Sequence, residues 1–405
     1  MMRQTRRAFL AATGAAGLAG CSSLSMEAAK SDDAGKVSGS GAPSVAVADD
    51  FESLGHWQAV ERRGSLSKST DAYEGSRCAR VTGSEETKEG HIVKSLSSAD
   101  LRGTNFSMAV KFTSHERAKV AVELLAPDDE RKVVLKRTVL GPRNRWMRVN
   151  FGVTGRTAGA DLSRVRKLRV VGRPLDPNAE TPVEFLVDDL RTVAGADGGY
   201  VTFTFDDSYA SHYRAFELME RYGFAGVEGV IPGSVGDDDR LTEDQLSAMA
   251  EGGWDISAHP NVGARFLPEY SADEQRALLK EARGYLESRG FDDGARHLLV
   301  PKNLVGSETF DLARRYYDTV FSFGGCPNGM PFVREDAIVS RVYGKDVAVV
   351  KEFVDYAAEY GQYVVPLFHE VGTGGDIGEG EFEELLRYVK ERDVKVVTAS
   401  DFLEL

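Results

Sequence analysis

The stretch Tyr200-Val-Thr-Phe-Thr-Phe-Asp-Asp-Ser-Tyr209 decides how the rest of the chain is read. Val201, Phe203 and Phe205 alternate with Thr202 and Thr204, the period of a β-strand, and the run stops abruptly in two adjacent carboxylates. Beyond it, residues 210–223 carry Phe216, Leu218, Met219 and Tyr222 in an amphipathic helical pattern. Asp206 and Asp207 therefore close a strand and open a turn into a helix. In α/β folds that C-terminal strand end is where ligands and chemistry sit. Within a regular strand neighbouring carboxylates point to opposite faces. At a turn both can approach one centre, one to hold a metal ion and the other to handle a proton. The same pair would also serve as a plain helix N-cap with a solvated neighbour.

Working toward the C-terminus, the pattern of that unit repeats. Residues 225–231, 255–259, 298–301, 319–323, 363–368 and 395–398 read as strands. Helices are expected over 242–251, 271–289, 307–317, 346–360 and 379–392. The first two of these open with the capping boxes Thr242-Glu-Asp-Gln245 and Ser271-Ala-Asp-Glu274. Alternating βα units imply a parallel sheet. About seven strands over 199–405 fit an incomplete (β/α)7-type barrel better than the eightfold form.

Two further strand ends carry proton- or metal-capable groups: Trp254-Asp-Ile-Ser-Ala-His259-Pro260 and Pro366-Leu-Phe-His369-Glu370. Taken alone, each histidine would also suit a structural role. Together with Thr204-Phe-Asp-Asp-Ser208, in this order and spacing, they resemble the motifs of the polysaccharide deacetylase family (carbohydrate esterase family 4). The resemblance covers 199–405. It implies that Asp206 is the general base and His369 the general acid, with Asp207 and His259 as metal ligands. The implied cofactor is a divalent metal ion, zinc being the expected one, which would polarise an acyl carbonyl and acidify a water. The implied reaction is removal of N-acetyl or O-acetyl groups from a polysaccharide. A catalytically inactive glycan-binding lipoprotein on the same fold is the competing reading.

The sequence departs from the family pattern at two places. The second motif's other metal histidine falls on Gly263, and an arginine-proline-tyrosine motif falls on Leu299-Val-Pro-Lys302, so only Pro301 matches. His212, in the first turn after Asp207, is a candidate replacement ligand or an ordinary helix residue. Asp206 and Asn261 are further candidates, with water filling the remaining positions. His297 stands at the start of its strand, about 13 Å from the far end at ~3.3 Å per residue, and is poorly placed.

The preceding half, 44–195, reads as short alternating strands separated by turn residues, a jelly-roll-like β-sandwich with a possible carbohydrate-binding role. Trp57 and Trp146 are its candidate sugar platforms, or else packing residues. Asp188-Asp189 and Asp49-Asp50 are candidate calcium ligands, or solvated acids. A glycine-rich joint, Ala194-Gly-Ala-Asp-Gly-Gly199, separates the two halves.

Residues 1–20 read as an address, not as structure. Thr5-Arg6-Arg7-Ala8-Phe9-Leu10 resembles a twin-arginine export signal, and Leu18-Ala19-Gly20-Cys21 resembles a lipobox with Cys21 as the lipidated residue. Residues 21–43 would then tether the protein to the outer face of the cytoplasmic membrane by the lipid alone. Cys78 and Cys326 lack metal-type spacing and read as unpaired thiols. With 63 Asp and Glu against 50 Lys and Arg, a formal charge of -13 excludes nucleic acid as the expected partner. It would also suit a salt-adapted organism. A polysaccharide is the expected substrate.

Overall fold

The computed structural model describes residues 45–333, 338–372 and 374–405. The expected signal, the tether and Cys21 lie outside the described residues. Among the described residues no helix is long and apolar enough to cross a membrane.

Twelve strands precede the glycine-rich joint. They are β1 (Val45–Asp49), β2 (Trp57–Ala59), β3 (Ser65–Ser69), β4 (Cys78–Thr82), β5 (Gly90–Ala99) and β6 (Thr104–Phe112), followed by β7 (Arg117–Leu125), β8 (Lys132–Leu140), β9 (Met147–Phe151), β10 (Val153–Arg156), β11 (Val165–Pro174) and β12 (Glu184–Ala194). Period-2 patterning buries alternate residues of β8 and β11, while β9 is buried throughout. Phe106, Met108 and Val110 from β6 meet a core with Val120 and Val122 from β7, Leu135 from β8 and Val170 from β11. The second sheet has the order β10-β8-β7-β11-β5-β2, all antiparallel.

Trp57 is buried, stacks on Phe51 at 5.2 Å and donates from Nε1 to Asp49 at 2.9 Å, so it is a core residue. Trp146 is half-buried against Tyr73. The acidic pairs are also spoken for. Asp188 accepts from the backbone N–H groups of Tyr73 and Glu74, Asp189 pairs with Arg148 and Arg191, and Asp49 pairs with Lys94. Cys78 and Cys326 are buried and free.

Seven strands close a parallel barrel: β14 (Thr204–Asp206), β15 (Val227–Val230), β16 (Asp255–Ala258), β17 (His297–Leu299), β18 (Thr319–Phe323), β20 (Val339–Tyr343) and β22 (Pro366–Phe368). Its membership differs from the sequence expectation in two ways. Strand β20 was not expected, and the last expected strand, β23 (Val394–Val396), lies outside the barrel. The opening run also divides. Gly199–Val201 forms β13, which pairs with β23 and β21 (Gln362–Val364), while Thr204–Asp206 enters the barrel wall. Thr202 marks the crossing, donating from its hydroxyl to the Val397 carbonyl at 2.6 Å. The 363–368 run splits in the same manner, at Val365-Pro366.

The helices match the sequence closely: α1 (Ser211–Glu220), α2 (Glu243–Glu251), α3 (Ala272–Glu287), α4 (Ser307–Tyr316), α5 (Val347–Tyr360) and α6 (Glu379–Lys390), followed by the short α7 (Ala399–Phe402). Both capping boxes form, at Thr242 with Gln245 and at Ser271 with Glu274.

The two halves share one sheet. Its path runs β23-β13-β21-β19-β9-β6-β12-β4-β3, with the two-residue strand β19 (Asn328–Gly329) joining barrel to sandwich. Buried amides secure the seam. Asn105 donates to the Met330 carbonyl at 2.8 Å and accepts from Gln362 at 3.0 Å, and Gln362 in turn accepts from the Val153 N–H at 3.0 Å. Arg137, buried on β8, reaches Asn328 and the Ile338 carbonyl. Such groups are costly to bury unless fully paired, which makes the joint specific.

His297 begins β17, fully buried, with Nε2 2.9 Å from the Ser400 hydroxyl. Burial pulls its imidazole down to about 4, with Asp255 opposing. An unfolded chain's imidazole titrates near pH ~6.5, so between these values the unfolded state binds a proton that the folded state refuses. Stability from this group is full above about pH 6.5 and falls as the pH drops toward ~4. Urea denaturation across that range should show His297→Gln with a flatter pH dependence than wild type; an identical slope would remove His297 as the cause.

Candidate active site at the mouth of the barrel

The C-terminal ends of β14, β16 and β22 bring Asp206, Asp207, His259 and His369 to one side of the barrel, with β14 paired directly to β22 and separated from β16 by β15. Asp206 ends β14 opposite Gly229, where a Cβ would stand 3.4 Å from the Asp206 carboxylate and 3.0 Å from Leu299. The glycine leaves room for Asp206 to face inward. There its carboxylate accepts from Arg341 at 2.7 Å, with both side chains buried.

Arg341 is the residue that sequence reading missed. It lies on β20, the strand without an expectation, and its other terminal nitrogen donates to Asn303 at 2.8 Å. Position 299 holds a fully buried leucine, yet a guanidinium still reaches the mouth, from a different strand. Asn303 is presented by a turn in which Lys302 and Asn303 both have positive φ, 53° and 59°. Nothing local in the sequence marks Arg341; only the pairing of β20 between β18 and β22 aims it.

Immediately after Asp206 the backbone turns through two left-handed residues, Asp207 at φ 78° and Ser208 at φ 57°. Such conformations cost of order 1–3 kcal/mol each and persist only where surroundings impose them. The Ser208 hydroxyl accepts from the Ile231 N–H at 3.1 Å and its carbonyl from the Leu241 N–H at 2.8 Å. The turn separates the two carboxylates: Asp206 goes to Arg341, and Asp207 to His259, whose Nε2 lies 3.2 Å away. Burial raises the Asp207 carboxyl, but the hydrogen bond and charge of His259, with His369 and Arg240, outweigh it and hold it down at about 2. Burial pulls His259 down, while Asp206 and Asp207 carry it above the ordinary imidazole value.

His259 Nδ1 donates to the Leu299 carbonyl at 2.9 Å, which fixes the ring and leaves Nε2 facing Asp207. The 3.2 Å between Nε2 and the carboxylate oxygen is close to the ~3.3 Å edge of a tetrahedron with 2.0–2.1 Å metal bonds. The residues therefore fit a divalent ion at two points. A three-ligand site is not formed: no group of three His, Cys, Asp or Glu able to hold a metal occurs among the described residues. Gly263 sits in an exposed turn at φ 52°, and Asn261 spends its side-chain oxygen on the Gly263 N–H.

His212 is not available as the replacement ligand. It is fully buried, its Nδ1 lies 2.9 Å from the Glu228 carboxylate, and its Nε2 donates to the His369 carbonyl. Burial pulls His212 down, but Glu228 lifts it above the usual imidazole range, and burial raises Glu228 in turn. The His212–Glu228 pair braces the backbone beneath His369. The His369 ring is partly exposed, with Nδ1 2.8 Å from Asp376, which also accepts the His369 N–H at 3.2 Å. Asp376, seven positions on in a glycine-rich loop, thus orients the His369 ring through Nδ1, and Nε2 makes no hydrogen bond among the described residues. A cavity of about 700 Å3 opens elsewhere, beside α4 and β18, and none of these side chains lines it.

With this geometry in view, the comparisons find likeness to polysaccharide deacetylases over one part of the chain and to carbohydrate-binding modules over part of it. No family model matches the chain. YxkH of Bacillus subtilis (strain 168), named as a candidate polysaccharide deacetylase, is 37% identical over 116 residues, which are 28% of this chain and 41% of that protein. The chain thus spans less than half the length of that relative. The Streptococcus pyogenes deacetylase PplD is 25% identical, covering 30% of this chain and 54% of its own, with a TM-score of 0.28. The family 11 carbohydrate-binding module of Clostridium thermocellum is 16% identical, covering 39% of this chain and 98% of its own, with a TM-score of 0.30.

Breaking a buried ion pair from one side strands the other charge. Arg341→Leu should therefore lower stability by about 3–5 kcal/mol in urea denaturation. Arg341→Lys keeps the charge but not the two-pronged geometry, and should lose less. Equal stability of Arg341→Leu and wild type would show that the pair does not hold the mouth together.

Proposed function

We propose that the barrel mouth hydrolyses acetyl groups, N-linked or O-linked, from a cell-envelope or extracellular polysaccharide. One observation carries this reading: two oriented proton-transfer groups, Asp206 on Arg341 and His369 on Asp376, accompany the cation-ready pair of Asp207 and His259. Asp206 takes the proton of the attacking water, and the water oxygen bonds to the acyl carbon. His369 Nε2 then delivers a proton to the departing sugar nitrogen or oxygen as the acyl bond breaks, leaving acetate and the free amine or alcohol. A divalent ion, zinc by preference, would be held by Asp207 and His259 and would polarise the acyl carbonyl. Asp376 and the His212–Glu228 pair act through His369 as positioning residues.

The two-ligand donor set favours one second reading, a glycan-binding protein that keeps the barrel without turnover. Acetate release from acetylated chitooligosaccharide, xylan and peptidoglycan, with zinc supplied, separates the two. Turnover should fall about 10²–10⁴-fold in Asp206→Asn and in His369→Ala. Metal analysis should find near one equivalent in wild type and none in His259→Ala. No acetate and no metal in the folded wild-type protein would leave the binding reading.

The export and lipidation of residues 1–21 belong to the same proposal. Radiolabelled fatty acid should enter the wild-type protein in cells and not Cys21→Ser; equal labelling would place the anchor elsewhere.

A further inference from the structure

The outward face of the sandwich's second sheet carries a groove of about 370 Å3 that the mouth chemistry does not use. It crosses β8, β7, β11 and β5, and its side chains recur at every second position, as one face of a sheet requires. Ala121, Val134 and Val171 are its floor. Six Lys and Arg line it against two Glu, and no Phe, Tyr or Trp does.

The two acids are already engaged. Glu123 accepts from Lys132 at 2.7 Å and Arg169 at 2.6 Å, and Glu89 is shared by Arg63 at 3.2 Å and His91 at 2.9 Å. Lys119 and Lys136 have no carboxylate or hydrogen-bond partner among the described residues. Lys119 also stands directly across the ladder from Arg173, whose nearest carboxylate, Glu89, is 3.9 Å off. Like charges opposite one another destabilise a sheet. Burial, with the charges of Arg173 and Lys136, pulls the Lys119 ammonium below its ordinary value. In a chain of formal charge -13, a concave face with surplus cations set against each other has the character of a site for an absent anion.

The same strand face leads to the barrel. Two residues before Lys119, about 7 Å along β7, Arg117 lies over Phe266 at 5.8 Å. Phe266 belongs to the loop that follows His259, where Lys302 also lies over it at 5.4 Å.

We propose that this groove binds an acidic polysaccharide, one carrying carboxylate or sulfate groups, as a remote subsite for the polymer presented to the barrel mouth. The link to the mouth rests on the deacetylase reading; the groove's binding chemistry does not. Without aromatic platforms, neutral sugars have nothing to stack on. Duplex nucleic acid, with one charge per about 1.7 Å and a -13 protein to approach, is opposed by the long-range field. A glycan with about one charge per sugar unit needs only the few cations present.

The test is affinity electrophoresis of the full chain in gels containing polygalacturonate, dextran sulfate, neutral dextran or DNA. Wild type should be retarded by at least one of the two acidic glycans and not by dextran. The double variant Lys119→Glu/Lys136→Glu should lose at least tenfold in affinity for it. The milder pair Lys119→Gln/Lys136→Gln should do the same while melting no lower than wild type, because it removes repulsion. Asp206→Asn should bind like wild type, so a failure of turnover alone would overturn the deacetylase reading and leave the groove standing. Unchanged retardation of the charge variants, equal retardation by dextran, or tighter binding to DNA would overturn the acidic-glycan site.

Discussion

A guanidinium cannot give up its proton inside a protein, so a fully buried arginine must be met by groups that accept from it. Arg341 imposes that condition on the barrel. Asp206 faces inward to pair with it, Gly229 leaves the room to do so, and the left-handed turn at Lys302 and Asn303 supplies the second acceptor. Because Asp206 is held in this way, the next residue has to leave the strand by a different route. The strained pair Asp207 and Ser208 provides it, swinging the second carboxylate to His259. Two neighbouring acids of one type thereby receive different partners.

The opposite side of the mouth is built on a second buried charge arrangement. His212 and Glu228 have no exposed surface; Glu228 anchors one side of the imidazole and the other side holds the His369 carbonyl, while Asp376 aligns the His369 ring. Polar support of this kind is exacting, because an unpaired member would cost more than an apolar replacement. The exposed edge of His369 thus stands on a buried, hydrogen-bonded base. Asp207 and His369 meet solvent, as in part does Asp376, whereas His259, His212 and Glu228 do not.

Sandwich and barrel are held in register by a common sheet and by Asn105, Gln362 and Arg137, all buried. A module on a flexible linker would not keep one of its faces at a fixed place beside the barrel. Here the basic groove on β7 and β11 keeps a constant relation to the loop that follows His259. Of the two tryptophans that looked like sugar platforms, Trp57 is spent on packing and hydrogen bonding, and Trp146 stays half-buried against Tyr73. Charge is what the sandwich displays instead.

Much of the site was legible from local pattern. Alternation stopping at Asp206-Asp207, His259 and His369 at strand ends, and the Thr242 and Ser271 capping boxes depend on residues a few positions apart, and the helices fall within a few residues of expectation. Strand membership was not legible. Runs such as 200–206 and 363–368 have one period throughout, yet each divides between two sheets, because three-residue strands take their partners from distant hydrogen bonds. The strand Val339–Tyr343 carries an arginine at its centre, which disguises a buried segment as a polar one. The sequence by itself thus determined the βα repeat and which acids and histidines stand at strand ends. Only the tertiary structure decided that Arg341 tethers Asp206, that His212 braces His369 instead of facing the mouth, and that cations gather on one sandwich face. Each of these is a pairing of charges far apart in the chain, and burial, which no short window of sequence records, is what makes them obligatory.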